Sequence, residues 1–326
     1  MKMQRCAGLR RHLNALLAML LATFALQTWA EFPERAIRLV VPWPAGATTD
    51  VAARIFGDRL SKKLGVGVVV ENRGGANAIV GTQFVAKSAP DGYTLEFTTS
   101  EPLTINPNIY KTLPYDVEKD LEPLAFVGRT YFVVAAKAAF PANDIQGAIA
   151  LAKQQPGKIT VGSYGIADMF LGSFESATGT QFLVVPFQGG GPAITAVLGG
   201  QVDLTLAASF SAAQHVAGGR IKVLGVGSAK RLQLLPDTPT FIEQGMAGFE
   251  IGNWVSIHAP RGLPERTREV LRQAIEEIVR SAEFVERGRA IGIEVDYAPP
   301  DALRAFMRAD SARWRKVARE KKIEIE

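Results

Sequence analysis

The chain has 326 residues, 47% of them hydrophobic, with 37 basic against 32 acidic side chains and a formal charge of +5. Four of the basic residues, Lys2, Arg5, Arg10 and Arg11, lie in the first thirty positions, which hold no acidic residue, so the remainder carries 33 against 32. That near balance removes the charge argument for nucleic-acid binding. Cys6 is the only cysteine, which excludes disulfides, thiolate catalysis and cysteine metal sites beyond the leader.

The leader comes first in chain order. A basic segment precedes the apolar run from Leu13 to Leu26, which is shorter than the ~20 residues needed to span a bilayer. Thr28-Trp29-Ala30 then supplies small residues for cleavage before Glu31. Residues 1–30 read as a signal peptide, and the rest as an exported, periplasmic chain. Arg10-Arg11 leaves open whether export is general or twin-arginine. Cys6 precedes the apolar run, so it is not placed as a lipoprotein cysteine.

Short β-branched runs then alternate with helical patterns, which indicates α/β architecture with mainly parallel sheets. Strands are expected at 37–41, 67–72, 93–99 and 123–128. A helix over Thr49–Leu64 repeats Ala52, Phe56, Leu60 and Leu64 on one face, and another covers Asn77–Lys87. A second set follows: strands at 131–136, 158–163, 182–187, 202–207 and 221–227, with helices at 145–155, 168–178 and 192–200. The strand 253–260 is expected to rejoin the first set, and the tail from Leu263 to about Glu320 reads as helical. The division is residues 31–127 and 252–326 in one lobe and 128–251 in the other. The crossings fall near Gly128-Arg129 and between Gly248 and Asn253, and two crossing strands make a hinge.

In open α/β sheets, ligands sit beyond the carboxyl ends of the strands. "VPWPAGATTD" (41–50) lies there after the first strand. Gly46 permits close backbone approach, Ala45 and Ala47 keep it uncluttered, and Thr48, Thr49 and Asp50 stand at the helix start. The turn serves either to cap the helix or to cradle an anion with its free N–H groups. It lacks the lysine of a P-loop and the GxGxxG of a dinucleotide fold. "GSYGIAD" (162–168), "PFQGGGP" (186–192) and "NRGGAN" (72–77) repeat the arrangement. Two opposed sheets would place a small anion between two helix starts.

The ordered motifs "IRLVVPWPAGATTDVAAR", "VVVENRGGANAIVGTQFVAKSAPDGYTL", "NPNIYKTLPYDVEKDLEPLAFV", "LGGQVDL", "SAKRLQLLPDTPTFIEQG" and "APRGLP" resemble the Bug family over residues 31–320. These are periplasmic solute-binding receptors of tripartite tricarboxylate transporters. The resemblance implies a two-lobed Venus-flytrap fold of the class II periplasmic-binding type, and a non-catalytic receptor that takes small carboxylates or amino acids for uptake or sensing. It implies a first-lobe grip at Trp43, Ala45, Gly46, Ala47, Thr48, Thr49 and Asp50. The second-lobe grip is Ser163, Tyr164, Gly165, Ile166, Ala167 and Asp168, with Phe187, Gln188, Gly189 and Gly190 as a wall. Ala47 stands where the family often has glycine, Ile166 and Ala167 where it often has hydroxyls, and Ala207 and Ala208 where a polar pair is frequent. No cofactor is implied. The partners implied are the ligand and either the integral-membrane subunits of such a transporter or a sensor kinase, with no nucleic acid, and the chain is expected to be a monomer.

The runner-up is an exported α/β hydrolase acting on a small organic acid. It has little to work with: His215 and His258 have no neighbours at metal spacing, and "GSYG" is not a GxSxG elbow. A regulator's effector-sensing lobe pair shares this fold, but export and the lack of a helix-turn-helix before residue 31 oppose it. Asp168, if it faces the cleft, would repel a second carboxylate, so a monocarboxylate or amino acid is the expected ligand.

Overall fold

The computed structural model describes residues 32–321 and Ile323. The expected leader, its cleavage site at Ala30 and Glu31 lie outside the described residues. β1 (Ile37–Val41), α1 (Thr48–Leu64), β2 (Val68–Asn72), α2 (Ile79–Ala86) and β3 (Thr94–Thr99) open the chain. A π-helical turn (Glu101–Ile105) and two short helices, α3 (Asn106–Ile109) and α4 (Val117–Asp120), lead to β4 (Leu121–Lys137). Next come α5 (Ile145–Gln154), β5 (Thr160–Ser163), α6 (Ile166–Thr178), β6 (Leu183–Pro186) and α7 (Gly190–Leu198). β7 (Leu204–Ala208), α8 (Ser209–Val216) and β8 (Ile221–Val226) complete this run. The described chain closes with β9 (Gly252–Pro260), α9 (Glu265–Arg280), α10 (Ala282–Ala290), β10 (Ile293–Ala298) and α11 (Pro300–Lys321).

The strands line up as β2-β1-β3-β9-β4-β7-β5-β6, with β10 and β8 also on β4. β1 runs parallel to β2 and β3, while β9 is antiparallel to both β3 and β4. β4 passes through both lobes of this two-lobed α/β fold. Its residues up to Tyr131 pair with β9, and those from Phe132 pair with β7 and β8. Beside this point the Phe132 N–H donates to the Ile251 carbonyl (3.0 Å) and the Ile251 N–H to that of Gly227 (2.9 Å).

Two expectations need correction. The separate strands expected at 123–128 and 131–136 form one strand, because Gly128 is not a break. It admits a close neighbour: a Cβ there would lie 2.4 Å from the Glu294 carbonyl oxygen of β10. The tail is not all helix either, since "IEVDYA" forms β10 against β4. Strongly amphipathic helices flank it, and nothing local marks its distant partner.

α1 packs the face read from its spacing: Ala52, Phe56 and Leu60 are buried, and Phe56 meets Phe97 (ring centroids 5.7 Å) and Phe284. Phe56 and Leu60 each contribute roughly 1.5–3 kcal/mol by leaving water. Trp254 belongs to the core, edge-on to Phe306 and stacked on Phe126, its Nε1–H donating to Asp310 (3.0 Å). α11 reaches the second lobe as well, where Trp314 packs against Phe170 of α6 (5.4 Å).

Candidate functional site: the cleft between the lobes

The carboxyl ends of β1 and β3 in one lobe, and of β5, β6 and β7 in the other, point toward the crossing. The register fixes this: Thr99 at the end of β3 pairs beside Val255, close to Gly252, and Ala208 at the end of β7 pairs with Phe132. The turns after these strands therefore face one another. They touch: a Cβ on Gly165 of the second lobe would come 3.1 Å from Asn77 Oδ1 of the first.

The first-lobe turn is held by Asp50. Its carboxylate accepts the Gly46 N–H (2.8 Å), the Arg54 guanidinium (3.1 Å) and the Asn72 amide (3.0 Å), and that amide also donates to the Trp43 carbonyl (3.0 Å). Burial raises the Asp50 pKa, but these donors outweigh it and hold the carboxyl below its ordinary value. Asp50 thus shapes the turn, with both oxygens engaged, and neither it nor a threonine caps the helix. α1 starts at Ala47 with no side-chain cap, and the Thr48 hydroxyl is buried without any hydrogen-bond partner. Among the described residues, the Thr48 and Thr49 N–H groups donate to no group of the chain. Ala45 and Gly46 are exposed, Ala47 is half-buried and Thr49 is buried. Gly46 has φ +83°, which only glycine adopts freely.

In the second lobe Ser163 donates to Asp168 (2.5 Å), and Tyr164 donates to the Leu206 carbonyl (3.2 Å). Asp168 is exposed as a residue, and its carboxylate is partly withdrawn from water where Ser163 meets it. That local desolvation raises its pKa against the lowering effect of Ser163. Ile166 and Ala167 turn their side chains into the core of the lobe, so only their backbone borders the cleft. Gly165 starts α6, Gly189 starts α7 and Ala208 starts α8, each without a side-chain cap. Phe187 packs beside Gly162, Gly190 lies against the Tyr164 hydroxyl, and Gln188 is exposed.

Away from the cleft the pattern reverses at several helices. Asp116 caps α4, Asp144 caps α5 and Ser281 caps α10. A missing Ser, Thr, Asp or Asn cap costs about 1 kcal/mol per helix. Four helices that begin on the cleft go without one.

Sequence reasoning missed a buried network at the floor of the cleft. Trp43 Nε1–H donates to Thr99 (3.0 Å), Thr99 to Glu101 (2.5 Å), and Asn253 to the same Glu101 oxygen (2.6 Å). Ser100 donates to Asn253 through both N–H (3.0 Å) and hydroxyl (2.5 Å). Burial pushes the Glu101 carboxyl up, Thr99 and Asn253 opposing. Burial also raises the Tyr164 phenol, and the charges of Glu101 and Asp168 add to that effect across the cleft. Asn77, held by donation to Tyr110 (2.8 Å), belongs here too, in the "NRGGAN" turn. Ala76, Asn77 and Ala78 all have positive φ. The rule that strand ends line the cleft pointed at Thr99 and Glu101, but no local signal joins them to Asn253.

Among the described residues the cleft pairs no nucleophile with an imidazole base. Ser163 donates to a carboxylate, with no imidazole beside it. His258 is fully buried in the first lobe, its pKa lowered to about 3 by burial and by Arg304. Among the described residues no three His, Cys, Asp or Glu side chains gather to hold a metal, and no helix is long and apolar enough to cross a membrane. Three cavities lie outside the cleft: an apolar void of about 30 Å³ in the second lobe, a groove of about 860 Å³ beside α11, and a pocket of about 330 Å³ near Arg304.

The model of the tripartite tricarboxylate transporter family receptor, TctC, matches residues 52–323. Protein BugT of Bordetella pertussis is 33% identical over 293 residues, covering 89% of this chain and 90% of BugT. Among solved structures, the periplasmic binding protein BugD is similar at 32% identity and TM-score 0.81, covering 90% of this chain and 100% of BugD. The R. palustris protein Rpa4515, solved with adipate, gives 30% and 0.84 over 90% of this chain and 99% of that one. MatC of Rhodopseudomonas palustris, with bound malate, gives 28% and 0.77 over 88% and 99%. With a two-lobed fold, an open-capped cleft and matches over nearly its whole described length, the chain belongs to the TctC family of periplasmic receptors, and is a solute-binding receptor rather than an enzyme.

Proposed function

We propose that this receptor holds a small carboxylate-bearing solute between its lobes, with the carboxylate on the start of α1. The observation that carries the reading is the buried, unpartnered Thr48 hydroxyl beside uncapped amides. Buried polar groups in native proteins are almost always paired, so such an orphan marks a place for a ligand or ordered water. Each charge-assisted hydrogen bond is worth roughly 1.5–3 kcal/mol, and the helix dipole adds ~0.3–1. Two or three of them, less ordering costs, give about micromolar affinity, near −8 kcal/mol. Residues 163–168 and 187–190 close the other side when the lobes hinge about β4 and the return at 251–252.

The solute class follows from Asp168 and Glu101. Of the cleft side chains named above, Arg54 is already paired with Asp50, while Asp168 and Glu101 are carboxylic acids with no basic partner. A monocarboxylate or an amino acid, whose ammonium suits Asp168, fits better than a di- or tricarboxylate. Adipate and malate in the two related structures are dicarboxylates, so this chain departs from those proteins in our reading. Export with cleavage near Ala30, a monomeric state, and delivery to transporter membrane subunits or a sensor kinase complete the proposal.

A thermal-shift screen of organic acids and amino acids, with mass spectrometry of co-purified solute, identifies the ligand. Calorimetry on the Thr48→Val/Thr49→Val protein should then show affinity at least about tenfold weaker with the fold intact. Unchanged affinity sinks the assignment of the α1 start. Asp168→Asn should improve dicarboxylate binding relative to the natural solute; micromolar succinate binding by the wild type, unaltered by the substitution, rules the solute class out.

A further inference from the structure

The pole of the first lobe opposite the cleft carries a pocket of about 330 Å³ that solute binding leaves without a role. It opens where β9 ends and β4 begins, and α9 and the first turn of α11 wall it. Four arginines line it, Arg261, Arg268, Arg272 and Arg304, against two carboxylates, Glu122 and Asp301. Two of the arginines are engaged. Arg268 pairs with Glu122 and Glu265 and donates to the Leu263 carbonyl (2.9 Å), and Arg261 donates to the Glu118 carbonyl (2.9 Å).

Arg272 and Arg304 are different. Both are half-buried, four residues from their pocket neighbours Arg268 and Pro300, and neither has an ion pair or hydrogen bond among the described residues. A guanidinium withdrawn from water without an acceptor forfeits hydration that only an anion restores. The 22-residue helix α11 begins at Pro300 on the same wall, and its dipole adds positive potential there.

We propose that this pocket is a second anion site, separate from the solute cleft, taking an oxyanion of the phosphate class between Arg272 and Arg304. The four guanidiniums exceed the lining carboxylates Glu122 and Asp301, together with the Glu265 that pairs with Arg268, by one charge, which an anion offsets, and planar guanidinium forks bind phosphate oxygens bidentately. The volume exceeds that of inorganic phosphate, so a phosphate ester also fits. A free phosphate compound and a phospholipid headgroup present the same chemistry, and the test separates them.

Inorganic phosphate is titrated into the purified chain at fixed ionic strength, read by calorimetry and by the His258 imidazole resonance, which lies near Arg304. The wild type should bind, the His258 line should move, and Arg272→Ala/Arg304→Ala should weaken binding at least about tenfold per arginine. Solute affinity in the cleft should stay as in the wild type, so failure here is distinct from failure of the cleft assignment. Arg272→Gln/Arg304→Gln, which keeps length and removes charge, repeats the measurement should the alanine protein fail to fold. In the second arm, sedimentation with phosphatidylglycerol vesicles that depends on the same arginines, without competition by free phosphate, assigns the headgroup as source. Binding in neither arm at millimolar phosphate, or binding that survives loss of both arginines, overturns the site.

Discussion

Glu96 is the residue whose protonation governs how the first lobe responds to pH. It lies fully buried on β3, accepts from Thr82 (2.6 Å), leaves its second oxygen without a donor and sits across the ladder from His258. Burial raises its carboxyl from 4.5 to about 7, the Thr82 hydrogen bond opposing. The folded chain therefore keeps a proton that the unfolded chain releases. The resulting stability is complete below about pH 4.5, falls by about 1.4 kcal/mol per unit as pH rises, and is lost above about 7, roughly 3 kcal/mol in all. His258 has the opposite sign, losing stability as pH falls from 6.5 toward about 3, so a difference between two proteins isolates Glu96. Urea unfolding of wild type and Glu96→Gln should show the variant gaining about 3 kcal/mol relative to wild type between pH 4.5 and pH 8. A difference independent of pH would falsify the buried-proton account. At this scale the placement of the strand-end turns was legible: Trp43, Gly46, Thr48, Ser163 and Asp168 lie where β1 and β5 end and the following helices start. Asp50 was misread as a capping candidate because its partners, Gly46 and Asn72, lie on either side of a helix start, and that geometry leaves no trace in spacing.

The elements tell a similar story. Helices and strands with their own periodicity, such as α1 and β1, were legible because the buried face repeats within the segment. β10 and the unbroken β4 were not, because each is defined by a partner far along the chain. Cap usage was equally hidden, since a missing cap is visible only once the helix start is placed. It yields a prediction in which stability and binding move oppositely. Ala47 has φ −66° and ψ 156°, the extended geometry of an N-cap, so Ala47→Ser can accept from the Thr49 or Asp50 N–H without strain. The variant should gain about 1 kcal/mol in stability and lose solute affinity, because the new hydroxyl satisfies the amides reserved for the ligand. Denaturant melts and calorimetry on one preparation decide it, and a gain in both would refute the reserved-amide idea.

For the whole molecule the issue is motion. The two lobes touch at Asn77 and Gly165, so the structure shows them drawn together. Small-angle scattering with saturating solute should give a smaller radius of gyration than without it. Gly165→Ala provides the second measurement: its Cβ would press on Asn77, and φ +38° strains any side chain there, so it should hold the lobes apart and enlarge the radius. Identical curves for wild type with and without solute and for Gly165→Ala, with binding verified, would remove hinge closure from the mechanism.

The position of β9 has a consequence for how the chain comes to be folded. β3 and β4 do not pair with each other; β9, in the last quarter of the sequence, fills the slot between them. Thr99 and Val255 are neighbours in that slot, so the first hundred residues have no complete sheet to join until the last quarter of the chain has been made. The stretch from β5 to β8, by contrast, finds its partners within its own length and on β4. Assembly is therefore ordered by connectivity, with the middle of the chain able to close early and the outer segments delayed by a closure of long sequence separation, which is slow. A chain whose outer segments wait on its last quarter stays incompletely folded for longer than one built from local pairings.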